Sequence, residues 1–366
     1  MPFNPFEGAF GLDIGDTSLK LVRVHSTPKP FKTEFKLLSY GRARLPEGAL
    51  VNGEVIHPEP VVKTLKELVR QTRWRKAQNW VVASVPETKT FLKYTTFEPD
   101  EEITAATINT LIEEHIPLPA DELYVDWQTI PAMEGYERQG LMVTAAPKQT
   151  IDSYTYLLEI AGLSPLAFEL ESVALARALV AVHKTEEEAQ PQGAQGILDV
   201  GASSTTLVIY DHNAVQLTRT FDFSGNYVTE LISHLFNTEK KEAEMLKHEK
   251  GFDPKGYNRR EWTILAREAE YLTREIERTL TFYQNESSHN RHVETIHLCG
   301  GGANALGLDK LLSTRLKIMV HAGNPWQNLF TKKISPLTQA DLHAYATAIG
   351  LALRAASNPL VKKDEI

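Results

Sequence analysis

Cysteine is almost missing from this 366-residue chain: Cys299 stands alone, so no intrachain disulfide can staple the fold. A reducing, cytoplasmic compartment is the natural setting for such a chain. Long apolar runs are missing too, since no stretch approaches the roughly 20 residues a membrane helix needs. Met1 to Phe10 lacks the basic and apolar regions of a signal peptide, and Ser357 to Ile366 is short, polar and without an amphipathic anchor. If the protein works at a membrane, something else is expected to hold it there. Positive charge is in deficit, 39 Lys and Arg against 47 Asp and Glu, which argues against a large electropositive face for nucleic acid. Neither a P-loop, nor Gly-x-Gly-x-x-Gly, nor a Gly-x-Ser-x-Gly nucleophile elbow occurs. His289 and His292 lie three apart with no carboxylate or cysteine set beside them, a poor basis for a metal site, and Cys299 reads as a small core residue.

What remains is a soluble globular composition, 42% hydrophobic and 23% charged, on a chain long enough for two domains. Phe10 to His25 alternates like two strands around a Gly-Asp-Thr-Ser turn and predicts a hairpin. Gly196 to Tyr210 repeats the plan: strand, Asp, one residue, Gly, a hydroxyl-rich turn, strand. An internal repeat separated by half the chain implies two lobes of common ancestry. Between them run an amphipathic helix with Val61, Val62, Leu65, Leu68 and Val69 on one face and a buried-type strand, 80–85. A compact α+β insertion is expected over 87–162, with a strand over 88–95, a helix carrying Ile108, Leu111, Ile112 and Ile116, and strands over 123–130 and 140–146. The resulting division gives a first-lobe core of 1–86 and 163–195, joined by a C-terminal helix in 340–366, and a second lobe of 196–339. A linker is expected at 186–195, a helical, charged insertion at 229–288, and a loop or disordered portion at 251–258. The runs 186–188 and 240–241 read as solvated charge.

Asp13, a carboxylate at the end of a buried strand and followed by Gly15, has two readings. It caps backbone donors of a tight turn, or it helps hold hydrated Mg²⁺ while Gly15, Thr17 and Ser18 wrap phosphate oxygens. Asp199, with Gly201, Ser203, Ser204 and Thr205, repeats the pattern and favours the second reading, a polyphosphate clamped from both sides. Lys20 faces either the cleft or solvent. Gly300-Gly301-Gly302, just after a predicted strand, permits a tight turn or close backbone approach to a flat ligand or phosphate.

These stretches stand in the order of the phosphate 1, phosphate 2 and adenosine motifs of the actin, Hsp70 and sugar-kinase superfamily, and the chain resembles it. Residues 169–177 and 344–352, rich in small side chains, look like the superfamily's two connecting helices. The resemblance implies an α/β, actin-like ATPase fold, two RNase H-like lobes around a nucleotide cleft. Within the superfamily the chain is most similar to the PilM family of type IV pilus assembly, through residues 45–56, 113–123 and 243–247, and over about 9–354. The insertion then resembles the 1C subdomain that this family shares with FtsA.

From the resemblance, ATP and Mg are the expected cofactors, with Asp13 and Asp199 positioning the metal directly or through water. Glu244 and Lys247, three apart on a helix, look like the family's ribose- and adenine-contacting pair; otherwise they form a surface ion pair. Glu171 is nominated to position water, or else it has a structural partner. Ser224-Gly225-Asn226 stands where a Gly-Gly-Asp-type contact is common, keeping a hydrogen-bonding group and losing a charge. Nucleotide binding with slow or no turnover is the expectation. The implied partner is the N-terminal cytoplasmic peptide of the inner-membrane protein PilN, held between the first-lobe core and the insertion. A kinase or chaperone-like ATPase of the same fold would need a catalytic base and a polar substrate pocket, and an FtsA-like filament protein a C-terminal amphipathic helix.

Overall fold

The computed structural model describes residues 6–29, 32–72, 78–98, 100–132, 138–180, 193–286, 291–329 and 337–357. His289, the acidic run 186–188 and the tail beyond 357 lie outside them.

In the first lobe, β1 (Phe10–Gly15) and β2 (Ser18–Lys29) form the predicted hairpin, and β3 (Lys32–Arg44) extends it antiparallel. A two-residue pair, β4 (Leu50–Val51) and β5 (Glu54–Val55), precedes α1 (Pro58–Gln71), whose Val61, Val62, Leu65 and Leu68 are buried against the sheet. Pro58 suits the first helical turn, where its missing N–H costs nothing. Next comes β6 (Trp80–Val85), parallel to β1 and buried on both faces, hence an apolar run interrupted only by Ser84, whose hydroxyl accepts the Ile14 amide at 3.1 Å.

The insertion is a three-stranded antiparallel sheet with one helix. It contains β7 (Phe91–Phe97), α2 (Ala105–His115), β8 (Leu123–Ile130) and β9 (Gln139–Pro147), in the order β7-β9-β8. Its small core holds Phe97, Ile108, Ile112, Leu123, Leu141 and Val143. Thr104 and Thr107 cap α2 reciprocally. Two boundaries move. The strand expected from residue 88 starts at Phe91, because a 3₁₀ turn at Glu87–Lys89 follows Pro86 and turns the Glu87 carboxylate to the Ser172 amide. The insertion expected to run to 162 ends its own packing at β9. The following helix, α3 (Lys148–Ile160), sends Tyr154, Leu157 and Leu158 into the first-lobe core instead. Strand β10 (Ser164–Leu170) then completes the sheet β10-β6-β1-β2-β3.

Helix α4 (Glu171–Leu179) leads toward the second lobe, which opens with a second hairpin, β11 (Ala194–Val200) and β12 (Thr205–Asp211), continued by β13 (Ala214–Phe221). Helices α5 (Gly225–Phe236), α6 (Lys240–Glu249) and α7 (Arg259–Glu286) follow, and then β14 (Val293–Cys299), α8 (Leu308–Leu316) and β15 (Met319–Ala322). The sheet order β13-β12-β11-β14-β15 copies the first lobe's plan, an antiparallel meander beside parallel strands. Within 251–258 the chain forms a 3₁₀ turn, Pro254–Gly256, held by buried Phe252 against Phe223 and by the Tyr257 hydroxyl on the Gly251 carbonyl at 2.7 Å.

Finally α9 (Gln339–Ala344) packs on the Gly301–Asn304 turn and β14 of the second lobe, and α10 (Ala346–Ala356) returns to the first lobe, where it packs on β1, β2 and β6 and crosses α4. The crossing is backbone on backbone: a Cβ at Gly350 would collide with the Ala174 carbonyl. Beside it the Glu169 carboxylate, 5% exposed, takes hydrogen bonds from Arg177 (2.6 and 2.7 Å) and from Arg354 (2.9 Å). Burial alone would raise the Glu169 pKa, but the two guanidinium groups outweigh it and hold it below the ordinary value. Gly350→Val should therefore destabilise the protein by about 3 kcal/mol through overpacking. Urea unfolding measures this, and wild-type stability in the variant would show that the crossing is not tight.

Candidate functional site

The two hairpin turns end in one cleft. Asp13, at the close of β1, lies opposite Lys20 in the strand register, and the Lys20 Nζ is 2.6 Å from Asp13 Oδ2. Lys20 thus faces the cleft, settling the two orientations its alternation allowed. Asp199 closes β11 in the same way, but the residue opposite it is Thr206. Burial lifts the Asp199 pKa to about 6; Lys20 pulls it down, and Asp13 and Glu87 push it up. Glu171, the first residue of α4, is pushed well above the carboxylate range by burial and then by Asp13, Asp199 and Glu87, against Lys20. Glu87, also raised by burial, accepts the Ser172 amide at 3.1 Å and so caps α4. Cys299 is buried in β14, where burial and Asp199 raise its thiol pKa.

The remaining candidates surround this acid cluster. Gly15 and Thr17 form the first turn, and Ser18 is buried at the start of β2. In the second turn the Gly201 amide donates to the Ser204 carbonyl at 2.9 Å. Ser203 is exposed at its tip, and Thr205 is buried with its hydroxyl unpartnered among the described residues. The amides of Gly225 and Asn226 donate to the carbonyls of Gly201 and Ala202 at 2.9 and 3.0 Å. Their backbone therefore supports the second turn, and the Asn226 side chain is exposed. Lys247 is buried, its Nζ bound to Glu244 Oε2 at 2.7 Å, Thr229 Oγ1 at 2.9 Å and the Gly225 carbonyl at 3.1 Å. Its ammonium is spent inside the protein, so Glu244, half exposed, is the member of the pair that reaches outward. Burial would raise the Glu244 pKa, but its bonds to Lys247 and Thr229 lower it overall.

The glycine run lies against the end of β11. Gly300 has φ +81, and a Cβ there would strike the Asp199 carboxylate and the Val200 carbonyl. Gly302 packs on Val200, whereas Gly301 has open space around its Cβ position. Gly302 and Lys247 both approach Gly225, so the adenosine-type run, the second phosphate turn and the α6 pair meet at one corner.

Three features had no assigned role in the sequence. Asp16 accepts a hydrogen bond from Ser203 Oγ at 2.7 Å, joining the two turns across 187 residues of chain. Glu87 belongs to the acid cluster, and Glu169 binds the arginines of both crossing helices. A contact between distant segments leaves no periodic trace, although Asp16 in a Gly-Asp-Thr-Ser turn was a visible extra charge.

Chemically, Asp13, Asp199, Glu171 and Glu87 lie close to one another, and the raised pKa values of Glu171 and Asp199 record burial first and the neighbouring carboxylates second. No three-ligand group able to hold a metal by itself occurs among the described residues. The donor set suits a cation that keeps waters and takes its other ligands from phosphate, which is the habit of Mg²⁺. A carboxylate with a raised folded-state pKa opposes folding increasingly as pH climbs above its unfolded value. Glu171→Gln should therefore stabilise the ligand-free protein by about 1 kcal/mol more at pH 8 than at pH 5. Denaturant titrations at the two pH values would reveal this, and a pH-independent effect would contradict the crowding.

The family described as "Type IV pilus assembly protein PilM" matches residues 11–356. Among solved structures, a chain of a PilM–PilN type IV pilus biogenesis complex is 26% identical, with a TM-score of 0.78 over 96% of this chain and 100% of that one. MreB5 of Spiroplasma citri bound to AMPPNP is 13% identical, with a TM-score of 0.53 over 94% of this chain and 95% of that one. The ethanolamine utilization protein EutJ from Carboxydothermus hydrogenoformans is 12% identical, with a TM-score of 0.53 over 94% and 88%. The fold is thus actin-like, and the chain belongs to the PilM family of type IV pilus assembly proteins.

Proposed function

We propose that this chain is an ATP- and Mg²⁺-binding scaffold of type IV pilus assembly, in which nucleotide state sets the angle between the lobes and thereby the affinity for a partner. The carrying observation is the convergence of two like hairpins, ending in Asp13 and Asp199, on one acid-rich cleft beside Lys20. Asp13 and Asp199 would hold Mg²⁺, directly or through water, and the metal would supply charge neutralisation for phosphate oxygens. The turns carrying Gly15, Thr17, Ser18, Gly201, Ser203, Ser204 and Thr205 offer backbone and hydroxyl donors to phosphates. Gly300, Gly301, Gly302, Gly225, Asn226 and Glu244 would frame the nucleoside, with Lys247 fixing Glu244. That an MreB of the same fold is described with AMPPNP supports this reading.

Glu171, next to both aspartates, is assigned to water positioning, with turnover slow or absent. The assigned partner is the N-terminal cytoplasmic peptide of PilN; that the 26% identical chain comes from a PilM–PilN complex supports PilN as the protein bound. No described helix is long and apolar enough to cross a membrane, so attachment to the cytoplasmic face of the inner membrane would run through that partner. A cavity of about 310 Å³ of mixed polarity, bordered by Phe91, Lys93, Leu111, His115 and Ile116 of the insertion and by Thr218 of β13, offers room for a peptide side chain.

Calorimetry should show Mg·ATP binding that Asp13→Ala and Asp199→Ala each weaken about tenfold or more, equivalent to about 1.4 kcal/mol. Unchanged affinity in both variants would displace the metal and phosphate site. A synthetic PilN N-terminal peptide should bind with affinities that differ about fivefold between the ATP- and ADP-loaded protein. Equal affinities, or rapid phosphorylation of a small-molecule substrate, would overturn the scaffold reading.

A further inference from the structure

The Asp16 carboxylate is held by three donors. Its Oδ1 accepts the Gly53 amide at 2.9 Å, and its Oδ2 accepts the Asn52 amide at 3.1 Å and the Ser203 hydroxyl at 2.7 Å. Asn52 and Gly53 both have left-handed backbone, φ +49 and +74, which turns their two N–H groups toward one anion. The carbonyls of the same two residues face the insertion's connections. Asn52 O accepts the Thr88 hydroxyl at 3.4 Å, in the 3₁₀ turn that leads into β7. Gly53 O accepts the buried Tyr154 hydroxyl at 3.0 Å, in the helix that follows β9. Lys89 adds an ion pair with Glu54 at 3.5 Å.

A continuous polar chain therefore runs from Ser203 in the second lobe, through Asp16 and the Asn52–Gly53 turn, to both covalent connections of the insertion. Each link is a directional hydrogen bond, and together they connect segments far apart in the sequence.

We propose that Asp16 is the residue that distinguishes a triphosphate from a diphosphate and passes the difference to the insertion. The proposal rests on the nucleotide reading given above. Ser203 can donate its single hydroxyl proton to the Asp16 carboxylate or to a terminal phosphate oxygen, not to both. The two anions also repel each other, so a third phosphate lodged between the turns takes Ser203 and displaces Asp16. A diphosphate leaves the Asp16–Ser203 bond intact. Once Asp16 shifts, the Asn52 and Gly53 amides lose their acceptor, and the turn that braces Thr88 and Tyr154 loosens. Asp16 thus acts as a positioning and specificity residue whose charge disfavours the triphosphate.

The test uses the full chain, with Mg·ATP and Mg·ADP as probes. In the wild type, ATP but not ADP should raise amide exchange in segments 50–56 and 86–98. Asp16→Asn keeps one acceptor oxygen, enough for the Gly53 amide, and removes both the charge and the second oxygen that the Asn52 amide and Ser203 share. It should shift the ATP-to-ADP affinity ratio toward ATP about fivefold and abolish the ATP-specific exchange. Ser203→Ala, which breaks the bond from the other side, should also abolish that exchange and serves if Asp16→Asn does not fold. A wild-type ATP-to-ADP ratio in Asp16→Asn, or unchanged exchange in Ser203→Ala, overturns the proposal while leaving nucleotide binding standing. Calorimetry showing that the wild type binds neither nucleotide overturns both.

Discussion

The backbone-on-backbone crossing of α4 and α10 is the constraint on which the cleft depends. Gly350 lies against the Ala174 carbonyl, and no larger residue fits without separating the helices. Helix α4 starts at Glu171, beside the acid cluster, and packs on strands of both lobes, while α10 packs on β1 and β2, so the crossing lies between the cleft and the first-lobe sheet. Glu169 secures the crossing by engaging Arg177 on one helix and Arg354 on the other. Such a part-buried ionic triad adds little net stability, since desolvation of Glu169 offsets much of the attraction.

Held at this distance, the acidic groups are in electrostatic conflict. Burial and crowding lift Asp199 and Glu171, and Lys20 relieves them only in part. Conflict of this kind marks functional sites, because a structure selected for stability alone would replace one of the carboxylates. A divalent cation with phosphate would resolve it, and the closed lobes would then be stabilised by what they bind. The insertion is joined to the first lobe close to this cluster, at Glu87, and Glu87 caps the helix that carries Glu171.

The actin-like fold was legible because its signals are local and repeated. Two hairpins of one pattern, two helices of small residues and a glycine run can each be read within a dozen residues, and their order excludes most alternatives. The α3 boundary was not legible, since Tyr154, Leu157 and Leu158 would suit either the insertion's core or the first lobe's, and only packing selects one. Similarly, the i, i+3 spacing of Glu244 and Lys247 placed both on one face, but whether Lys247 points into protein or toward a ligand depends on Thr229 and Gly225 from another helix.

By itself the sequence determined the fold class, the two turn motifs and the identity of the acids at their ends, because strand alternation and turn chemistry act over short distances. Only the tertiary structure decided that Lys20 faces Asp13, that Glu87 joins the acid cluster and that Asp16 meets Ser203 across 187 residues. The physical reason is that hydrogen bonds and charges act over a few ångströms of space, and a linear pattern carries no information about which distant side chains the lobes bring within that range.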